Sequence, residues 1–206
     1  FFFKQKTAYE ISTRDWSSDV CSSDLALRIV STVDIVPDTK NWTWVLERPC
    51  PDCAFDAQHI AVRDIGMMTR DLASQWEVVL GLPGSTTRPR PDVWSPSEYG
   101  CHVRDVLRLF DERLALMLDQ DDPTFTNWDQ DATALADRYD LQDPLIVRRE
   151  IVVAGDQLAD RFDQVTGSDW QRTGRRSDGA VFTVETFGKY FLHDPIHHLW
   201  DVARTF

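Results

Sequence analysis

Apolar residues recur along this chain at intervals of three, four and five over four long stretches, the spacing that lines up one face of an α-helix. The first stretch starts at Asp56, a capping residue, and runs through Ile60, Ile65, Met68, Leu72, Trp76 and Val79 to a stop at Gly81-Leu82-Pro83-Gly84. The second opens at Ser95-Pro96-Ser97-Glu98. There Ser95 caps, Pro96 takes the first helical position and Glu98 reaches back to complete a capping box. It carries Val103, Val106, Leu107, Phe110, Leu114 and Met117 to an acidic end at Asp119-Gln120-Asp121-Asp122-Pro123. The third begins at Asp143-Pro144, again a cap followed by proline, and places Ile146, Ile151, Val152, Leu158, Phe162 and Val165 before Gly167. The fourth, over 181–204, presents Val184, Phe187, Phe191, Leu192 and Leu199. Between them lie a proline-broken loop at 85–94, a linker over 124–142 with a short helix at 132–139, and a Gly- and Arg-rich loop at 168–179. Four amphipathic segments joined by loops predict an all-α fold, a four-helix bundle.

Ahead of the bundle, residues 26–57 read as an irregular, extended arm. Val30, Val33, Ile35 and Val36 favour extended backbone, and Pro37, Pro49 and Pro51 forbid a continuous helix. Trp42 and Trp44 are expected to pack the arm against the helices. Residues 1–25, FFFKQKTAYEISTRDWSSDVCSSDL, read as the translation of a sequencing-library adapter, with KQKTAYEI and DWSSDVCSSDL as its fixed parts. They are set aside as a non-native segment. The expected organisation is therefore a scar at 1–25, an arm at 26–57 and a bundle at 58–206.

The whole chain carries a formal net charge of −12. Without Lys4, Lys6 and Arg14, and without Glu10, Asp15, Asp19 and Asp24, it becomes −11. Such a charge repels phosphate backbones and anionic lipid surfaces, so neither nucleic acid nor membrane is the expected partner. Beyond the scar, Lys40 and Lys189 are the remaining lysines against many arginines, which points to a GC-rich coding sequence. With Cys21 set aside, Cys50, Cys53 and Cys101 remain. An odd number of thiols with no secretory signal predicts a reduced, cytoplasmic protein.

The candidate chemistry gathers near the end of the chain, in Tyr190-Phe191-Leu192-His193-Asp194-Pro195-Ile196-His197-His198. His193 and His197 stand four apart, which stacks two imidazoles on one helix face, a pair able to hold a metal. Catalytic divalent-metal sites commonly add a third protein ligand and leave a position open. His102, on an inward face of the second helix with Val106, is the best candidate for it. Pro195 interrupts the pair, and the helix must either kink there or restart with Asp194 as cap. His198 is expected to support the site from outside or to lie on the helix surface, and His59 to be structural or solvated. Cys50-Pro51-Asp52-Cys53 is half of a zinc knuckle without a second half among the thiols, and is read as a turn packed by the neighbouring tryptophans. Cys101 and His102, as adjacent helical residues, point about 100° apart and cannot share a proton in place. No Gly-rich phosphate loop and no G-x-S-x-G is present.

Two pieces carry a resemblance to a known family. Trp94-Ser95-Pro96-Ser97-Glu98-Tyr99-Gly100-Cys101-His102-Val103-Arg104-Asp105-Val106 resembles the second helix of the DinB superfamily, and His193-Asp194-Pro195-Ile196-His197-His198 resembles its fourth-helix H-x3-H. That superfamily of four-helix bundles includes thiol-dependent S-transferases and a mycothiol-dependent maleylpyruvate isomerase. The resemblance spans about residues 58–204 and leaves the arm, with its CPDC, outside. It implies a divalent metal, zinc or nickel, held by His102, His193 and His197. It also implies a thiol transferase or isomerase that uses a low-molecular-weight thiol, mycothiol in a bacterial host, on an electrophilic small molecule. The other reading is a stress-linked metal-binding protein without turnover. The expected partners are the thiol and the electrophile, with a homodimer as an allowed assembly.

Overall fold

The computed structural model describes Ile35 and residues 40–204. Four long helices carry the fold: α1 (Ile65–Leu80), α2 (Pro96–Asp119), α4 (Pro144–Asp163) and α5 (Val184–Ala203), with a short α3 (Gln130–Ala136) between α2 and α4. The chain is mostly helical, as the periodicity predicts, and three of the four long starts follow from their caps. Ser95 Oγ accepts the Glu98 amide at 3.2 Å while Glu98 accepts the Ser95 amide at 2.8 Å, which closes the capping box. Asp143 accepts the Leu145 amide at 2.8 Å with Pro144 behind it, and Thr183 accepts the Thr186 amide at 3.1 Å.

Helix α5 runs unbroken through Pro195, so Asp194 does not restart it. An interior proline costs about 3 kcal/mol and leaves the Phe191 carbonyl without its usual donor. Packing on both sides of the turn offsets this. Phe191, Leu192 and Pro195 are buried, and Trp76 of α1 donates its indole N–H to the Pro195 carbonyl at 3.2 Å.

The core lies where the four long helices face one another. Trp76 and Leu80 of α1, Leu107, Leu114 and Met117 of α2, Ile151, Leu158 and Phe162 of α4, and Phe187 and Phe191 of α5 are all buried there. Helices α1 and α4 approach closely at Gly155, where an added Cβ would lie 2.6 Å from the Ala73 Cβ.

Local features depart from the sequence reading. The run assigned to the first helix begins late: Asp56 caps a one-turn 3-10 helix (Ala57–His59), Ile60 is extended, and α1 starts at Ile65. Of the residues behind the extended reading of the arm, Val30, Val33 and Val36 lie outside the described residues; its described part is irregular, with 3-10 turns at Trp42–Leu46 and Ala57–His59 and a tight turn over 50–55. The loop expected at 168–179 supplies strand β2 (Thr173–Arg176), which pairs antiparallel with β3 (Val181–Thr183) and parallel with β1 (Thr124–Phe125). Its composition concealed it, because Thr-Gly-Arg-Arg has no apolar alternation. Gly174 is required where the strand lies on α2, since a Cβ there would meet Met117 at 2.7 Å. The short helix occupies Gln130–Ala136 rather than 132–139. The segment read as an adapter scar lies outside the described residues. Among the described residues no helix is long and apolar enough to cross a membrane.

The α1–α4 contact yields the first prediction. Gly155→Val should lower stability by about 1–3 kcal/mol, because a rigid branched side chain must push the helices apart at a contact with no slack. A urea denaturation midpoint at or above that of wild type would contradict the close approach.

Candidate metal centre

Helix α5 bears two adjacent stripes of metal-type side chains. His193 and His197 lie one turn apart, as do Asp194 and His198, and the two stripes are rotated about 100° from each other. The first stripe faces the arm: the Trp42 ring centroid is 5.2 Å from His193 and 5.0 Å from His197, and Phe55 is 5.5 Å from His193. The second faces α2, with the His102 and His198 rings 4.9 Å apart.

On the α2 side, His102 is fully buried, stacked on Trp128 at 5.4 Å and beside Trp94 at 5.7 Å. Its Nε2 lies 3.2 Å from Asp194 Oδ1, and its Nδ1 is buried without a hydrogen-bond partner. His198 Nδ1 lies 3.0 Å from Asp201 Oδ2, while its Nε2 faces Asp194 Oδ1 at 3.9 Å. A proton on Nδ1, shared with Asp201, leaves the Nε2 lone pair turned toward Asp194 and His102. One ligand-type atom from each of His102, Asp194 and His198 lies within 4.8 Å of the others. Desolvation would raise the Asp194 pKa, but the flanking imidazoles outweigh it, His102 first, and bring it down to about 2. Asp194 is thus a carboxylate at neutral pH. Two imidazoles and a carboxylate fit a divalent ion that keeps open positions. Such sets hold catalytic zinc, and imidazole also suits nickel and iron.

On the arm side, Cys50, Cys53, His193 and His197 likewise bring one ligand-type atom each within 4.8 Å of the others, and Cys50 Sγ is 3.7 Å from His197 Nδ1. Burial pushes the Cys53 thiol up to about 11 and the His193 imidazole down to about 4, and it lowers His197 as well. At neutral pH both rings are therefore in the uncharged form that binds metal.

Both clusters border one cleft of about 750 Å³. Trp94, Tyr99, Trp128 and Trp42 form aromatic walls, and Arg113 and Arg176 line it with Tyr190. Arg176 bonds to Asp178 at 2.9 Å and to Tyr190 Oη at 3.1 Å. Arg113 is different. It is buried over the Phe125 ring, gives Nη2–H to the Thr126 carbonyl at 2.7 Å, has no partner for Nε–H, and forms no salt bridge among the described residues. Burial and the Arg176 charge lower its pKa to about 10, which still leaves it a cation at neutral pH.

The sequence model described as the DinB superfamily matches residues 68–202. The chain belongs to the DinB superfamily. YfiT from Bacillus subtilis, described as a probable metal-dependent hydrolase with an unusual four-helix bundle topology, has a similar solved structure, with a TM-score of 0.63 over 71% of this chain and 90% of that one. At 16% identity the likeness is one of fold. No curated protein matches the chain.

Within this DinB fold the residues singled out in the sequence fall into two groups. His193 and His197 are neighbours, with ring centroids 5.1 Å apart, as their spacing requires. The third residue of the expected trio, His102, groups instead with Asp194 and His198. The reason is rotational, because H-x3-H and D-x3-H interleave on α5 and its packing turns the second pair toward α2. His198, read as peripheral, stands in the centre. Cys50, read as part of a surface turn, is buried, and the ligand-type atoms that Cys50 and Cys53 meet belong to His193 and His197. The interleaved D-x3-H was visible in the sequence as a second spacing of four. His59 is exposed and bonds only to Asp56, at 2.8 Å.

The support that Asp201 gives His198 is testable. Asp201→Asn should weaken divalent-metal binding on the α2 side by roughly 10–100-fold, read by competition with a metallochromic chelator. His59→Ala should leave it unchanged. Equal affinities in Asp201→Asn and wild type would remove Asp201 from the site.

Proposed function

We propose that the chain is a divalent-metal-dependent enzyme that joins a low-molecular-weight thiol to an electrophilic, carboxylate-bearing small molecule, or uses that thiol to isomerise it. The observation that carries this reading is the meeting of His102, Asp194 and His198 beside a cleft of about 750 Å³, lined by the last two, that also presents Arg113 without a carboxylate partner among the described residues. These three residues would hold the metal. When bound, such an ion lowers the pKa of a coordinated nucleophile and supplies positive charge where the reaction develops negative charge.

The chain's own residues account for the rest. Asp201 holds the His198 ring in one orientation. Trp94 and Trp128 flank His102 and keep bulk water from its side of the site. The Arg113 guanidinium, desolvated and with Nε–H unmatched, offers a fixed cation to a carboxylate of the thiol or of its acceptor. Mycothiol is the thiol that the superfamily resemblance favours in a bacterial host, with zinc or nickel as the metal. A second reading rests on YfiT, described as a probable metal-dependent hydrolase. There water replaces the thiol at the same centre.

The test uses untagged protein loaded separately with zinc and nickel. Mycothiol is supplied with a panel of electrophilic carboxylates, loss of free thiol is followed, and acid release is followed in parallel without thiol. Metal-dependent thiol loss that falls at least tenfold in His198→Ala supports the transferase or isomerase. Acid release without thiol supports the hydrolase. Metal binding with neither activity leaves the stress-linked, non-catalytic binder as the reading. Arg113→Met should raise KM for the carboxylate substrate roughly tenfold to a hundredfold, the worth of a lost charged hydrogen bond, with a much smaller change in kcat. An unchanged KM would exclude Arg113 from substrate binding.

A further inference from the structure

We propose that Cys50, Cys53, His193 and His197 form a second, closed zinc site that fastens the N-terminal arm to α5. The arm is shaped for it. The Cys50 amide donates to the Phe55 carbonyl at 2.8 Å and the Ala54 amide to the Cys50 carbonyl at 3.0 Å, so the chain doubles back between and after the two cysteines. Ala54 takes a φ of 59° to complete this turn, a left-handed conformation that an L-residue adopts only when its surroundings demand it.

The ligand geometry agrees with zinc. With Zn–S near 2.3 Å and Zn–N near 2.0–2.1 Å, the S···N edge of a tetrahedron is about 3.6 Å. Cys50 Sγ and His197 Nδ1 are 3.7 Å apart, and all four ligand-type atoms fall within 4.8 Å of one another. His193 Nε2 is buried without a hydrogen-bond partner among the described residues, an unmet demand beside the Trp42 and Phe55 rings. Charge also balances, since two thiolates, two neutral imidazoles and one Zn²⁺ sum to zero, which suits burial among aromatic rings. A disulfide is the competing fate of a C-x-x-C pair. Both cysteines are free, and a disulfide would leave the His193 nitrogen unsatisfied.

Four protein ligands fill the zinc tetrahedron, so this site has no place for substrate and its role is structural. Its consequence is positional. Fixing the 193/197 stripe against the arm fixes the rotation of α5, and with it the 194/198 stripe that faces α2. The arm in turn supplies Lys40, Asn41 and Trp42 to the cleft wall. The cysteines lie outside the segment that the superfamily model matches, residues 68–202, so the site joins the arm to the matched bundle. The proposal does not depend on which reaction the cleft performs.

The experiment is cobalt(II) substitution and zinc analysis of the full, untagged chain. The wild type should show near-ultraviolet thiolate-to-cobalt charge-transfer bands with intense tetrahedral d–d bands. Those bands should persist in the double variant His102→Ala/His198→Ala, which dismantles the cleft centre, and vanish in Cys50→Ser/Cys53→Ser, which should also lose one equivalent of zinc. A thiol-blocking mercurial should release one zinc from the wild type as two cysteines react. Absence of charge-transfer bands in the cobalt-loaded wild type overturns the proposal even if the cysteine variant does not fold. Equal zinc content in the wild type and a folded cysteine variant overturns it too.

Discussion

The rotation of α5 about its own axis is the constraint on which the candidate chemistry depends. An α-helix advances 100° per residue, so the consecutive pair His193-Asp194 and the pair one turn later, His197-His198, divide into two stripes that cannot face the same neighbour. One must serve the arm and the other α2. A rotation of one residue would present His193 and His197 to His102 and send Asp194 and His198 elsewhere. What selects the observed rotation is packing: Phe187 and Phe191 enter the core beside Phe110, and the Pro195 carbonyl receives the Trp76 indole.

That dependence also gives Pro195 a physical setting. The residue removes one backbone hydrogen bond midway between the two turns that carry the histidines, yet the helix continues. A proline is tolerated inside a helix when tertiary contacts outweigh its cost of about 3 kcal/mol. Here those contacts come from α1 on one side and from the aromatic rings around both ligand clusters on the other.

The bundle was largely legible in the sequence because helices declare themselves locally. Ser95 with Glu98, Asp143 with Pro144, and the spacing of Leu107, Leu114, Ile151 and Leu158 each encode a start or a face within a few residues. The late start of α1 and the three-stranded sheet were not legible, since Ile60 fits the helical period and Thr173–Arg176 lacks a strand's alternation. The site was half legible. Residue types and spacings named His102, His193 and His197, but assigning partners requires knowing which stripe of α5 meets which element, a tertiary fact. The neighbours of the CPDC turn were illegible for the same reason, since His193 and His197 lie about 140 residues away on a helix whose rotation the sequence does not state.

Net charge is a poor guide to what the cleft binds. A formal charge of −12 argues against long anionic partners such as nucleic acid, because many phosphates must approach the whole surface at once. It says little about one small anion. Exposed charges are screened over about 8–10 Å in physiological salt, whereas a buried guanidinium is screened much less. Arg113 has already lost most of its water, finds no carboxylate among the described residues, and holds Nε–H unmatched at the cleft. A partner carboxylate placed there would have to desolvate only itself, since the guanidinium was desolvated during folding. Local electrostatics can therefore favour an anion in a chain whose overall charge repels anions.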